Sequence, residues 1–322
     1  MKFNFISKRY SFYSFAVATS LIAIIAIFTL PLNLGIDMTG WVQAEYNYTD
    51  NLDIKTVTAI AEEVKKETVY NNKEIVNTLV AYKIAWENKF VVEAWLNKFE
   101  WLDGKTLDDL KTGFKNKLTA KLASINSSKI ELTKYVNIWE SFGDYIKKTA
   151  YVTTIITILA ISLYIAFAFR GSIEWFSSYP FAYVTIITLA HDVLAALGFY
   201  LITSFFFPEF KVDTFFITAM LTVLGYSVSD TIVIMDRIRS NLKQKINKKL
   251  DFWELINNAI NETLTRSLYT SFTVFITLVA MFFFGPVAIK WFILAMIFGT
   301  IFWTYSSIAI AAPMLYDFSG KK

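Results

Sequence analysis

Long uncharged apolar runs dominate the chain, and one amphipathic stretch interrupts them. No charged residue stands between Arg9 and Asp37. The core of that run, about 12–34, crosses roughly 30 Å of hydrocarbon at a helical rise of about 1.5 Å per residue. A cleaved signal has an apolar region of only about 7–15 residues and a small-x-small cleavage site. This run is longer and ends in Pro31, Leu32, Asn33 and Leu34, so an uncleaved span is expected. Five more spans are expected at about 149–169, 181–207, 214–235, 267–284 and 291–314. The segment 236–266 is basic and reads as a partly helical loop.

Between the first two spans, residues 37–148 carry 16 Lys and 17 Asp or Glu, the texture of a domain in water. Trp41 to Tyr48 alternates loosely, as a strand does. Ile54, Val57, Ile60, Ala61 and Val64 form a helical stripe over 54–68. Strands are expected over 79–86 and 90–96 around a turn at 87–89, a helix over 106–124 and a last strand over 130–138. Thr106, with Asp109 three residues on, reads as a cap of the second helix. The order β-α-β-β-α-β is that of a ferredoxin-like fold. The fold class expected is therefore an α-helical polytopic membrane protein, with six transmembrane helices and an extracytoplasmic α+β ferredoxin-like domain between spans one and two. Its parts are 1–36 (cytoplasmic N-terminus and span one), 37–148 (the domain) and 149–322 (five spans).

Composition narrows the function. Of 322 residues, 55% are apolar and 18% charged, against about 25% charged in soluble domains, and mean hydropathy is +0.43. With no cysteine and His191 as the only histidine, zinc and iron–sulfur centres lack their ligands, and no metal or other cofactor is expected. The net charge of +4 is small and scattered, which gives no basis for nucleic-acid binding. No Walker loop, nucleophile elbow or HExxH stretch occurs, so no enzyme is expected. With the N-terminus inside, 13 Lys and Arg fall in cytoplasmic segments and only Lys211 and Lys290 in short external loops. That bias puts both termini in the cytoplasm and the large domain outside.

The candidate chemistry lies within the spans, where an ionised side chain costs roughly 2.5–3.5 kcal/mol on insertion scales. Asp230 is about 16 residues from the outer end of span four and Arg266 about 19 from that of span five, so both lie about 24–28 Å deep at helical rise. Antiparallel neighbours could bring them into contact as a proton-operated pair, with Asp230 titrating. An equal alternative is that Arg266 simply marks the membrane edge. Thr270, Thr273 and Thr277 continue the Arg266 face of span five and could line hydrated space or pack between helices. His191 and Asp192 stand near the middle of span three, as a relay or as packing groups. Asp236 and Arg237 close span four at the cytoplasmic surface.

Several stretches also carry a family likeness. Gly35-Ile36-Asp37-Met38-Thr39-Gly40, the pair His191-Asp192, the run from Gly225-Tyr226-Ser227 through Asp230-Thr231-Ile232-Val233 to Asp236-Arg237-Ile238-Arg239, Asn261 to Ser267, and Gly299-Thr300 with Tyr305-Ser306-Ser307 and Pro313 are of this kind. Together they resemble the motifs of the SecF family of protein-export membrane subunits, within the resistance-nodulation-division superfamily. Met38, Trp41 and Ser240 depart from the family pattern. The resemblance implies half of a resistance-nodulation-division transporter, paired with SecD. It implies assistance to late translocation of exported polypeptide through the SecY channel complex, driven by protons. It assigns the proton-linked aspartate to Asp230 and the span-five arginine to Arg266. A proton-coupled exporter of lipid or small molecules in the same superfamily, or a scaffold of a membrane complex, are the alternatives.

Overall fold

The structure, a computed structural model, describes residues 3–39, 42–49, 52–71, 73–84, 87–97, 104–125, 129–137, 140–168, 179–207, 209–244, 251–286 and 289–318. In chain order it runs α1 (Arg9–Thr29), α2 (Ile36–Thr39), β1 (Val42–Tyr48), α3 (Ile54–Glu67), β2 (Val69–Tyr70), β3 (Lys73–Glu74), β4 (Val76–Lys83) and β5 (Lys89–Leu96). There follow α4 (Gly104–Ala123), β6 (Ile130–Asn137), α5 (Glu140–Ala168), α6 (Tyr179–Phe206), α7 (Thr214–Gln244) and α8 (Phe252–Phe284). Last come α9 (Lys290–Ser306), a π turn (Ser307–Ala311) and α10 (Ala312–Phe318). Trp41, Trp86 and Ile138, which end strands expected from the sequence, lie outside the described residues, as do the basic residues Lys245, Lys248 and Lys249.

Two compact units divide the chain. One comprises Met1–Asn33, Ala150–Phe206 and Phe215–Lys322; the other Leu34–Thr149 with Phe207–Thr214. Six helical stretches among the described residues are long and apolar enough to cross a membrane: Arg9–Thr29, Gly143–Ile165, Tyr179–Phe206, Thr214–Lys243, Phe252–Phe284 and Lys290–Phe318.

In the helical unit, small side chains let helices approach closely. Ala16, Thr19, Ala23 and Ala26 form the buried stripe of α1. A Cβ at Gly198 of α6 would run into the backbone of Ala23, and one at Gly299 of α9 into the side chain of Val223 on α7. Only glycine permits either crossing.

The helices overrun the apolar segments. The 236–266 stretch, expected as a partly helical loop, continues α7 as far as Gln244 and is helical again from Phe252 in α8. The reason is an apolar stripe carried into the charged sequence: Ile234, Ile238 and Leu242 on α7 pack with Leu255, Ile256, Ala259 and Ile260 on α8, with Ala311 at the end of the π turn and with Ala312 and Leu315 of α10. Likewise α5 starts at Glu140, well before the apolar run. The last span is broken by the π turn. Pro313 has no N–H for the carbonyl of Ala309, so a regular helix cannot pass this point intact.

In the α/β unit, strand order is β4-β5-β1-β6, every neighbouring pair antiparallel, with a small β2–β3 hairpin apart. Val42, Ala44 and Tyr46 of β1 point inward by the two-residue period. Val57, Ala61 and Val64 of α3 and Phe114, Leu118 and Leu122 of α4 pack on Ala44 and Tyr46 together with Phe90, Val92 and Ala94 of β5. Asp53 caps α3 by accepting from the Lys55 N–H at 3.1 Å. Thr106 does not cap α4: the helix already runs from Gly104, which places Thr106 inside its first turn.

Candidate functional site

Asp230 lies in the middle of α7, half-buried, and its ligands come from two other elements. The hydroxyl of Ser267 on α8 reaches both carboxylate oxygens at 2.7 Å, and that of Ser307, the first residue of the π turn, donates to Oδ2 at 2.5 Å. Arg266 does share a cavity with Asp230. The space is about 130 Å³ and is also lined by Tyr226, Ser229, Thr270 and Trp303. Among the described residues, however, no ion pair joins Arg266 to Asp230. Equal depth brings the two helices level, but azimuth turns Ser267, the next residue on α8, onto the carboxylate instead. Trp303 walls the cavity, stacked on Tyr226 with centroids 5.1 Å apart and its indole N–H on Ser271 Oγ at 3.2 Å.

Asp192, on α6, is fully buried. Its Oδ2 accepts from Ser227 of α7 at 2.6 Å and from Ser306, the last residue of α9, at 2.7 Å. Its Oδ1 lies 3.0 Å from Nδ1 of His191, whose Nε2 is 3.4 Å from Thr19 Oγ1 on α1. Neighbouring helix positions diverge by about 100°, and these two side chains point to different helices while remaining bonded to each other. A carboxylate without water needs several donors, and Asp192 has them.

The threonine stripe behaves differently. Thr270, Thr273 and Thr277 each donate to a carbonyl of α8 itself, and of the three only Thr270 lines the Asp230 cavity. At the cytoplasmic end, Arg237 pairs with Glu262 of α8 at 2.7 Å, and Asn241 donates to the same oxygen. Asp236 and Arg237 line a second cavity of about 330 Å³ with Ser240, Glu262 and Thr263, and this cavity shares Val233 and Arg266 with the Asp230 cavity. Asp230 thus has a polar approach along the α7–α8 seam.

The α/β unit has a buried carboxylate of its own, which sequence reading missed. Glu93 of β5 receives Lys211 Nζ at 2.9 Å, the Tyr82 hydroxyl at 2.8 Å and Gln43 Nε2 at 3.3 Å. Burial, and the Glu93 charge beside it, hold the Tyr82 phenol well above its ordinary pKa. The signal available was Lys211 itself, the one cation in the short connection before α7. In the same unit Asp37 accepts from the backbone N–H of Thr214 at 2.7 Å and from its hydroxyl, which explains an acid directly after the first span. Among the described residues, no three His, Asp or Glu side chains converge as metal ligands would.

Fold and site define a multi-pass membrane protein that keeps two carboxylates inside its helices on hydroxyl ligands. The profile described as Protein export membrane protein SecD/SecF, C-terminal, matches residues 117–321. The chain belongs to this SecD/SecF protein-export family. It is 32% identical over 324 residues to the Protein translocase subunit SecF of Rickettsia typhi, covering 100% of this chain and 94% of that protein. The subunit of that name from Endomicrobium trichonymphae is 30% identical, covering 99% and 92%. A crystal structure of a Thermus SecDF, described as a translocon-associated membrane protein, superimposes with a TM-score of 0.78 at 26% identity, over all of this chain and 39% of that one.

Proposed function

We propose that this chain, an accessory subunit of Sec protein translocation by family, pairs with SecD, acts beside the SecY channel complex and draws on the proton-motive force to help polypeptides complete their passage. The observation that carries this reading is Asp230: a carboxylate within a span, held by neutral hydroxyls, with a cation in its cavity and a polar approach from the α7–α8 seam. Such a group can exist charged or neutral without losing its ligands. Arg266 supplies fixed positive charge to the cavity rather than a direct bond. One charge crossing 100 mV yields about 2.3 kcal/mol, enough to move a two-state equilibrium about fifty-fold.

The need for SecD as the paired half is supported by surface chemistry. Tyr226, Ser229, Arg266 and Thr270 are exposed on the cavity side of the isolated chain. Hydrocarbon cannot satisfy a guanidinium, whereas a second helical half can. Lipid would meet α5, whose Tyr151, Ile155, Leu159 and Leu163 are exposed. The strand order β4-β5-β1-β6 supports reading this unit as a ferredoxin-like domain, and the basic flanks support an outside location for it with both termini in the cytoplasm. This is a non-enzymatic, proton-driven role.

The test is translocation into proteoliposomes carrying SecY complex, SecD and this chain, with and without a proton gradient. Asp230→Asn is expected to abolish the gradient-dependent part, roughly a tenfold loss, and leave gradient-independent translocation intact. Arg266→Lys, which keeps the charge, is expected within about threefold of the native chain because no bidentate pair is lost. An Asp230→Asn chain that responds fully to the gradient removes the proton coupling and leaves a scaffold.

A further inference from the structure

Asp192 and Asp230 sit on different helices, but their ligands are adjacent in sequence. Ser306 donates to Asp192 and Ser307 to Asp230. Successive helical positions point about 100° apart, so two consecutive residues on one helix can face carboxylates on two others. Both serines are fully buried, so neither can exchange its partner for bulk water.

The ring closes on the other side. Ser227, which also donates to Asp192, lies three residues before Asp230 on α7 and so shares a face with it. The circuit is Asp192, Ser306, Ser307, Asp230 and back along one turn of α7 to Ser227. His191 extends it from Asp192 to Thr19 of α1.

Each serine also has a second acceptor in its own helix. Ser306 Oγ lies 3.3 Å from the Trp303 carbonyl, and Ser307 Oγ 3.3 Å from that of Thr304. A hydroxyl has one hydrogen, so it serves either the carboxylate or the helix. An ionised carboxylate is the stronger acceptor. A neutral one lets the hydrogen turn back to the carbonyl, the arrangement that bends helices. This choice falls where the helix is already irregular: Ser307 opens the π turn, and Pro313 keeps that segment from reverting to a regular ladder.

We propose that the Ser306–Ser307 pair couples the two intrahelical carboxylates, so that a change of charge on Asp230 is passed through the π turn to Asp192, His191 and α1. The inference rests on the reading of Asp230 as the proton-carrying group. The two serines are positioning residues: they set how Asp192 and Asp230 respond to each other. The groups that face Asp230 are Arg266 and Ser267 from α8, Ser307 from the π turn, Trp303 from α9 and Tyr226 on its own helix, and the charge nearest beyond them is that of Asp192 on α6. Asp192 acts on Asp230 through space as well, so the test must separate field from bond.

A double-mutant cycle read by infrared titration does so. The full chain in lipid nanodiscs gives a protonated-carboxyl band for Asp230, assigned by its loss in Asp230→Asn. Asp192→Asn is expected to move the Asp230 midpoint by about one pH unit. In a Ser306→Ala background the same substitution should move it by less than about a third of that, although Ser306 does not touch Asp230. Ser306→Thr, which keeps the hydroxyl, should restore the full shift. Ser307→Ala cuts the same link from the other side and replaces Ser306→Ala if that chain fails to fold. Equal shifts in both backgrounds would mean that only the electric field connects the carboxylates and would overturn the proposal, as would no shift at all. A band that never titrates in the native chain overturns the reading of Asp230 itself, and the coupling with it.

Discussion

Glu93 and Asp230 are both carboxylates withdrawn from water, one in each unit, and their company differs in kind. Glu93 faces an ammonium at 2.9 Å, with a phenol and an amide completing its shell. Asp230 faces two serine hydroxyls, while the guanidinium of its cavity stays unbonded to it. A buried ion pair is held in one charge state, since neutralising either member strands the other. A carboxylate on hydroxyls keeps its ligands in both states, because a hydroxyl can donate or accept. The first arrangement fastens a structure and the second lets a charge change.

Substitutions can break that contrast. The largest effect is expected at Lys211→Met, which leaves Glu93 buried and uncompensated. The α/β unit should lose about 3–5 kcal/mol, read as an early transition when the full chain is unfolded in detergent. Adding Glu93→Gln to that variant should recover part of the loss. Ser267→Ala should cost only about 1–2 kcal/mol in the same measurement, because Ser307 still serves Asp230.

The smallest effect appears only in alkali. Burial pushes the phenols of Tyr46 and Tyr135 up to about 12, against an ordinary value of 10.0. A group whose folded pKa is raised contributes stability that is whole below the unfolded value and lost as pH climbs through the folded one. The α/β unit should therefore be unaffected near neutrality and weaken between about pH 10 and 12, followed by circular dichroism. Tyr46→Phe should blunt that limb, whereas Asp230→Asn should leave it unchanged.

The contrast was only half legible beforehand. Asp230 and Asp192 stand out because a charge inside an apolar run has a cost that demands a reason. Their ligands do not, because a serine in a span can satisfy itself on its own helix, and nothing in Ser227, Ser267, Ser306 or Ser307 marks which ones turn outward. Depth was readable from residue counts, so Asp230 and Arg266 do reach one cavity. Azimuth was not, and Ser267 takes the place expected of Arg266. Hydropathy locates hydrocarbon rather than helix ends, which is why α5, α7 and α8 overrun the expected spans. The π turn was not read from the sequence, where the last span was expected as one continuous stretch over 291–314 in spite of Pro313. Glu93 lies in a strand buried without a break from Phe90 to Ala94, and its partner Lys211 is 118 residues away.

The most direct test is proton flux through proteoliposomes carrying the chain with SecD under an imposed potential, native against Asp230→Asn. A flux that falls at least about tenfold, with the unfolding midpoint of the variant unchanged, is the expected result. Equal flux in the two preparations would contradict it, and Asp230 would then be as structural as Glu93.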